Sequence, residues 1–212
     1  HRYSSAASDV YKRQIEDKRL TRKIFGFNEL LKRTKLDVIE EKPLSLFLND
    51  QEIVTMMTIN DYPKYLALGY LLNQNMISSR TKIDKVEYYD DLMTVVVRTK
   101  KPVNYQKKLK KKTITSGCAQ GTLFGDIMES FKKIKFKDTP KLKMSWIYEL
   151  SKKINLMPSL YLKAGAIHGC VLCEKNKPLV YMEDVGRHNA IDKIAGYMLS
   201  LIHISEPTRH LL

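Results

Sequence analysis

Cys118 is the first of the three cysteines in the sequence, and a thiol can act as a nucleophile. It sits in Thr113-Ile114-Thr115-Ser116-Gly117-Cys118-Ala119-Gln120-Gly121, a run of small and polar residues that predicts an open loop. Leu123, Ile127, Phe131 and Ile134 then recur at helical spacing, so a helix is expected to begin just after the loop. The unpaired N–H groups of a helix start lower a thiol's pKa, as do nearby lysines. The thiolate is the attacking species in sulfur exchange, and Gly117 and Gly121 would let another molecule's sulfur approach. A lone cysteine is more often a small buried apolar residue. The loop alone leaves both readings open.

A second group follows an apolar run, Leu179-Val180-Tyr181-Met182, that predicts a buried strand. It reads Glu183-Asp184-Val185-Gly186-Arg187-His188-Asn189-Ala190-Ile191-Asp192-Lys193. Ile191, Ile194, Ala195, Met198 and Leu199 are apolar at helical spacing, so a strand turns at Gly186 into a helix. Asn189 is expected to cap that helix, with Asp192 three residues on completing a box-like pair. Such junctions are where α/β sheets place ligands, and Arg187 and His188 would face an anionic one. The competing reading is a capped helix start with solvated charges. The spacing matches no phosphate loop or dinucleotide fingerprint.

Cys170-Val171-Leu172-Cys173 spells C-x-x-C, with His168 two residues ahead. Ala166–Glu174 is expected to be a strand, turned by Lys175-Asn176-Lys177-Pro178. Positions i and i+3 of a strand face opposite ways, so the two thiols are poorly placed to bridge or to share a metal. No H-x-E partner for a deaminase-type zinc accompanies His168. Both cysteines are read as structural, and no zinc is expected.

The elements that must hold these groups are legible in order. Ile15–Lys42 gives a lead-in strand and turn. Leu44–Leu48 and Ile53–Ile59 form a hairpin through Asn49-Asp50. Asn60 or Asp61 is expected to cap a helix with Pro63 in its first turn and a buried stripe at Leu68, Leu71, Leu72 and Met76. Lys82–Tyr89 and Met93–Thr99 complete a ββαββ unit. Residues 100–112 hold seven lysines, read as a solvated linker or as a basic lip beside Cys118. Trp146–Leu156 is a helix ended by Pro158.

Composition narrows the function classes. The formal net charge of +14 invites anionic partners, but no basic-aromatic module points to nucleic acid. Three cysteines argue against a disulfide scaffold and for a reducing compartment. No stretch is long and apolar enough for a membrane helix and no signal peptide is visible, so the expectation is a cytoplasmic protein without a membrane partner. Residues 1–14 and 200–212 resemble translated sequencing adapter, and the native reading frame is expected to continue past both. The division drawn is residues 1–14 as a tail, 15–112 as an α+β domain with its basic linker, 113–199 as an incomplete α/β domain, and 200–212 as a tail.

The string from Glu183 to Lys193 resembles the signature of the FdhD/NarQ family, the formate dehydrogenase accessory sulfurtransferases. Three further stretches resemble that family in the same order. They are Leu66-Ala67-Leu68-Gly69-Tyr70-Leu71-Leu72, Thr115-Ser116-Gly117-Cys118, and Ala164-Gly165-Ala166-Ile167-His168. Together these run from about Glu40 to Leu199.

The resemblance implies an α+β N-terminal domain followed by a cytidine-deaminase-like three-layer α/β domain without zinc chemistry. It implies that Cys118 accepts persulfide sulfur from a cysteine desulfurase. The sulfur then passes to the molybdenum of bis-molybdopterin guanine dinucleotide, on its way to the formate dehydrogenase catalytic subunit. Arg187, His188, Asn189 and His168 would line the cofactor site, and a homodimer is allowed. The family's loop is usually C-x-x-C, and here Gly121 replaces the second cysteine. The family's glycine-containing "GF-A/C" stretch near the C-terminus does not occur in this sequence. A non-catalytic cofactor chaperone is the alternative, and a zinc-dependent deaminase-like enzyme a weaker one.

Overall fold

The computed structural model describes residues 16–102, 112–114, 122–124 and 141–204. A single 3-10 turn, Lys18–Leu20, leads into strands β1 (Thr21–Phe27) and β2 (Arg33–Ile39). Then come β3 (Lys42–Leu48), β4 (Gln51–Thr58), helix α1 (Pro63–Asn73), β5 (Ile83–Tyr89) and β6 (Thr94–Thr99). Short strands β7 (Lys112–Ile114) and β8 (Thr122–Phe124) precede α2 (Met144–Asn155) and α3 (Leu160–Ala164). The chain then forms β9 (His168–Glu174), β10 (Lys177–Asp184) and α4 (Arg187–Ile204). The class is mixed α+β, as the sequence predicts.

The expected ββαββ unit forms from β3 to β6. Its sheet has the order β4-β3-β6-β5, with β3 and β6 parallel and β5 and β6 antiparallel. Alternation does the sorting. Leu44, Leu46 and Leu48 of β3 and Val95 and Val97 of β6 are buried, while the residues between them are only partly covered. Asn49 turns the β3–β4 hairpin in the left-handed region, which Asn tolerates better than most residues.

Helix α1 departs from the expected single stripe. Leu66 through Leu71 are all buried, so the helix is covered on every side. The reason lies at Gly69 and Gly196. A Cβ added to Gly69 would lie 1.7 Å from the carbonyl oxygen of Asp192, and one on Gly196 would lie 1.8 Å from that of Tyr65. Helices α1 and α4 therefore touch backbone to backbone. The Asn73 amide donates to Asp192 at 2.6 Å, and Tyr65 packs edge-on against Tyr197. The predicted Asn60 or Asp61 cap is not used. Tyr62 takes the cap position with left-handed dihedrals and makes no side-chain cap bond, with Pro63 following as the first helical residue.

The described elements sort into two compact units. One comprises residues 1–42, 57–61 and 141–190, the other residues 43–56, 62–140 and 191–212. Each therefore draws segments from both sides of the 112/113 division. The second unit holds the four-stranded sheet, α1 and the large apolar cluster around Leu46, Leu71 and Val97. The first holds the hairpins β1–β2 and β9–β10, helices α2 and α3, and a cluster of Leu20, Ile59, Leu160 and Ile167.

Two expectations for helices are corrected. Leu123 lies on β8, paired with Thr113 of β7, and not on a helix, while Ile127, Phe131 and Ile134 lie outside the described residues. The β7–β8 ladder brackets residues 115–121, and Cys118 itself lies outside the described residues. At the other end, α4 does not stop at Leu199. It continues to Ile204, and Ser200 is buried with its hydroxyl donating to the Tyr197 carbonyl at 2.7 Å. Helix propagation needs only the next backbone bond, so the loss of apolar spacing after Leu199 does not end it.

Candidate functional site

The site is built at one end of the β9–β10 hairpin. Register places His168, at the start of β9, opposite Asp184, at the end of β10. Arg187 and His188 begin α4 three and four residues later, and both side chains are exposed, as is His168. The approach to β9 is a left-handed turn, with Gly165 at φ 65° and Ala166 at φ 51°. Gly169 is required for a different reason. A Cβ there would lie 2.3 Å from the Tyr181 hydroxyl, so only glycine leaves room for that ring.

The two acids of the motif face inward. Asp184 is fully buried and accepts from the Thr58 hydroxyl, from the Gly186 N–H at 3.1 Å and from the Asn189 amide at 3.0 Å. Glu183 is also buried, accepting from the N–H groups of Leu160 at 2.7 Å and Tyr161 at 3.0 Å and from the Tyr181 hydroxyl at 3.1 Å. With Ser159, whose hydroxyl accepts from Leu162 N–H, it satisfies the first donors of α3. Burial pushes the Glu183 carboxyl above the usual range, its three donors pull it part of the way back, and the charge of Asp61 raises it further. Burial and the Glu183 charge push the Tyr181 phenol up in turn.

Asn189 does not cap the helix. Helix α4 begins two residues earlier, at Arg187, and Asp184 takes the Gly186 N–H. The Asn189 amide instead reaches the Met57 carbonyl at 2.8 Å, pinning the end of β4 to the junction. Asp192 forms no capping box, being held by Asn73. The sequence reading missed Met57 and Thr58 as partners of this loop. They lie more than 120 residues from it in sequence, and no local spacing encodes that pairing.

Cys170 and Cys173 are both free, both half-buried and both on β9. Burial raises both thiols, and for Cys170 the neighbouring Cys173 adds to the rise. A raised thiol holds less thiolate at neutral pH, so neither is primed to attack. Among the described residues, no group of three or more His, Cys, Asp or Glu side chains could hold a metal ion.

The junction thus puts two cationic or ionisable side chains outward over two buried carboxylates. The sequence model of the FdhD/NarQ family matches residues 39–205, which include the Glu183–Lys193 motif. The chain belongs to the FdhD/NarQ family. It is 30% identical over 164 residues to the sulfur carrier protein FdhD of Wolinella succinogenes, covering 75% of this chain and 56% of that one. It is 27% identical to the FdhD of Bacillus pumilus, covering 77% of this chain and 63% of that protein. The chain therefore spans less than two thirds of the length of these relatives. The fold is shared with a crystal structure of a candidate formate dehydrogenase accessory protein from Desulfotalea psychrophila. That likeness has a TM-score of 0.60 at 21% identity and covers 86% of this chain and 68% of that one.

Proposed function

We propose that this FdhD/NarQ chain is a sulfur carrier serving formate dehydrogenase, with Cys118 as the carrying thiol. The Cys118 thiolate attacks the outer sulfur of a cysteine desulfurase's persulfide. The donor's own cysteine leaves as a thiolate, and Cys118 becomes a persulfide with no net oxidation. The terminal, sulfane-level sulfur would then pass to the molybdenum of bis-molybdopterin guanine dinucleotide, the substrate of the second half-reaction, with the reduced metal supplying the two electrons that convert it to sulfide, the persulfide proton going to solvent and Cys118 leaving as a thiolate. Arg187 and His188, with His168 at the same end of the hairpin, supply the donors that the phosphates of such a dinucleotide would need.

The observation that carries this reading is the state of the other two cysteines. Cys170 and Cys173 are half-buried strand residues with raised thiols, the opposite of what a carrier needs. Cys118 instead lies in the glycine-flanked connection between β7 and β8. The relatives named sulfur carrier protein FdhD support the same role.

The test is sulfur loading. Incubated with a cysteine desulfurase and cysteine, the chain should gain one sulfur atom, located on Cys118 by peptide mass spectrometry. Cys118→Ala should abolish the gain and leave the fold intact. Gly121→Cys should leave loading unchanged if one thiol suffices. Persulfide found on Cys170 or Cys173 would refute the assignment. Maturation of the dehydrogenase by Cys118→Ala would favour a cofactor chaperone instead.

A further inference from the structure

The β1–β2 hairpin presents an apolar tip inside a basic collar. Its turn, Asn28–Lys32, is tied down on both sides. The Asn28 side chain accepts from the N–H of Leu30 at 3.1 Å and of Lys32 at 2.9 Å, and its backbone N–H donates to the Lys32 carbonyl at 3.1 Å. This holds two leucines at the extremity. Leu30 is 69% exposed, Leu31 82%, and Phe27, in the pair next to the turn, 71%. Leu31 is moreover held at φ 57°, a conformation that glycine or asparagine would adopt more cheaply. Exposed leucines in a hydrogen-bonded turn, one of them strained, are not explained by packing.

Charge surrounds this tip. Residues 21–39 carry five cations against two carboxylates, Glu29 at the turn and Asp37 on β2. Register sets Arg33 opposite Phe27 and Lys35 opposite Phe25. The Arg33 guanidinium lies 4.1 Å from the Phe25 ring centre and Lys35 5.5 Å. That ring is already covered by cations, so the face is not a free stacking platform for nucleotide bases. Outward at the turn lie Leu30 and Leu31 beside the Glu29 carboxylate, and the cations Lys32, Arg33 and Lys35 follow into β2. A planar boundary between hydrocarbon and anionic headgroups has that same order, and it requires no concave pocket.

We propose that the β1–β2 tip docks on an anionic lipid surface, with Leu30, Leu31 and Phe27 entering the headgroup–acyl boundary and Lys32, Arg33 and Lys35 meeting the headgroups. The mode is peripheral. Among the described residues, no helix is long and apolar enough to cross a membrane. Residues 21–38 precede the part of the chain that the family model matches.

The experiment is co-sedimentation of the full 212-residue chain with vesicles of phosphatidylcholine alone and of an equimolar mixture with phosphatidylglycerol. Binding is expected to the mixture only, falling as salt rises. Leu30→Ser with Leu31→Ser keeps the net charge and should weaken binding at least tenfold, with the thermal midpoint unchanged because both side chains are exposed. Lys32→Gln and Arg33→Gln should weaken it about fivefold for each charge removed. Absence of binding at low salt would overturn the proposal. So would binding indifferent to the leucine pair, which would reduce it to the chain's general positive charge. Concentration-dependent self-association abolished by the leucine pair, without vesicle binding, would assign the tip to a second copy instead.

Discussion

The two compact units are stabilised by different physics. In the unit with the four-stranded sheet, apolar mass dominates. Leu44, Leu46, Leu48, Val95 and Val97 face Leu66, Ala67 and Leu71, all at or near zero exposure. In the unit with the signature motif, the apolar cluster is small, and buried polar groups make the long-range ties. Glu183 holds α3, while Asp184 holds Thr58, Gly186 and Asn189. Removing an apolar group from the first leaves a cavity, whereas removing a carboxylate from the second leaves several donors without partners. The region that displays Arg187 and His188 is thus one whose stability responds to protonation.

The largest effect is expected where α1 meets α4. Gly69→Ala puts a methyl group where the Asp192 carbonyl oxygen lies, 1.7 Å away, with the Gly196 nitrogen at 2.8 Å. Both obstacles are backbone, so neither can rotate aside, and the helices must part. The cost should exceed the ~1–3 kcal/mol of ordinary overpacking. Gly196→Ala, whose methyl would meet the Tyr65 carbonyl, should behave alike. Urea denaturation measures both. A loss below about 1 kcal/mol would show that this crossing yields easily.

A smaller, pH-dependent effect should come from Glu183. Its folded pKa is raised, chiefly by burial. The unfolded chain therefore gives up this proton at lower pH than the folded chain does. The contribution to stability is fully present below the unfolded pKa and is lost as pH rises through the folded value. Stability measured by urea from acid towards neutral pH should carry this downward component, and Glu183→Gln should remove it. Glu183→Gln should also destabilise at all pH values, because an amide cannot accept from Leu160, Tyr161 and Tyr181 together. An unchanged pH slope in Glu183→Gln would mean that the carboxylate is better solvated than its burial indicates.

How much was legible in the sequence follows from the range of each interaction. Period-two alternation in Leu44–Leu48 located one strand of the sheet, and the Asn49-Asp50 turn located its hairpin, because both signals are local. The caps were misplaced for a related reason. Asn189 and Asn60 are good cap residues by type, yet Asn189 is drawn to the Met57 carbonyl, and Tyr62 takes the α1 cap position. Leu123, expected on a helix, pairs with Thr113 instead, while the rest of that expected helix lies outside the described residues. Of the residues named from the resemblance, His168 is set by the register opposite Asp184, beside the junction that carries Arg187 and His188. The inward turn of Glu183 and Asp184 could not be read from the motif, because their partners lie on Thr58, Leu160 and Tyr161. One clue was present: both acids directly continue the apolar run Leu179–Met182.

The smallest effect on stability is expected at Arg187, and that is what makes it informative. Its side chain is exposed at the start of α4, so Arg187→Ala removes neither core volume nor a buried charge. Surface substitutions of this kind shift stability by about 0.5 kcal/mol or less. If Arg187 serves a phosphate-bearing substrate, the same substitution should weaken guanine nucleotide binding by about tenfold or more, since a charge-assisted pair contributes ~1.5–3 kcal/mol. Calorimetric titration with a guanine nucleotide, run beside thermal unfolding, separates the two readouts. His188→Ala should follow the same pattern more weakly, because an imidazole offers fewer donors than a guanidinium fork. Should Arg187→Ala bind the nucleotide as tightly as the parent chain, the guanidinium is only a solvated charge beside the motif, and the anion site must lie elsewhere. Should it lose stability on the scale of Gly69→Ala, the division between a polar-tethered display region and an apolar scaffold is wrong at this residue.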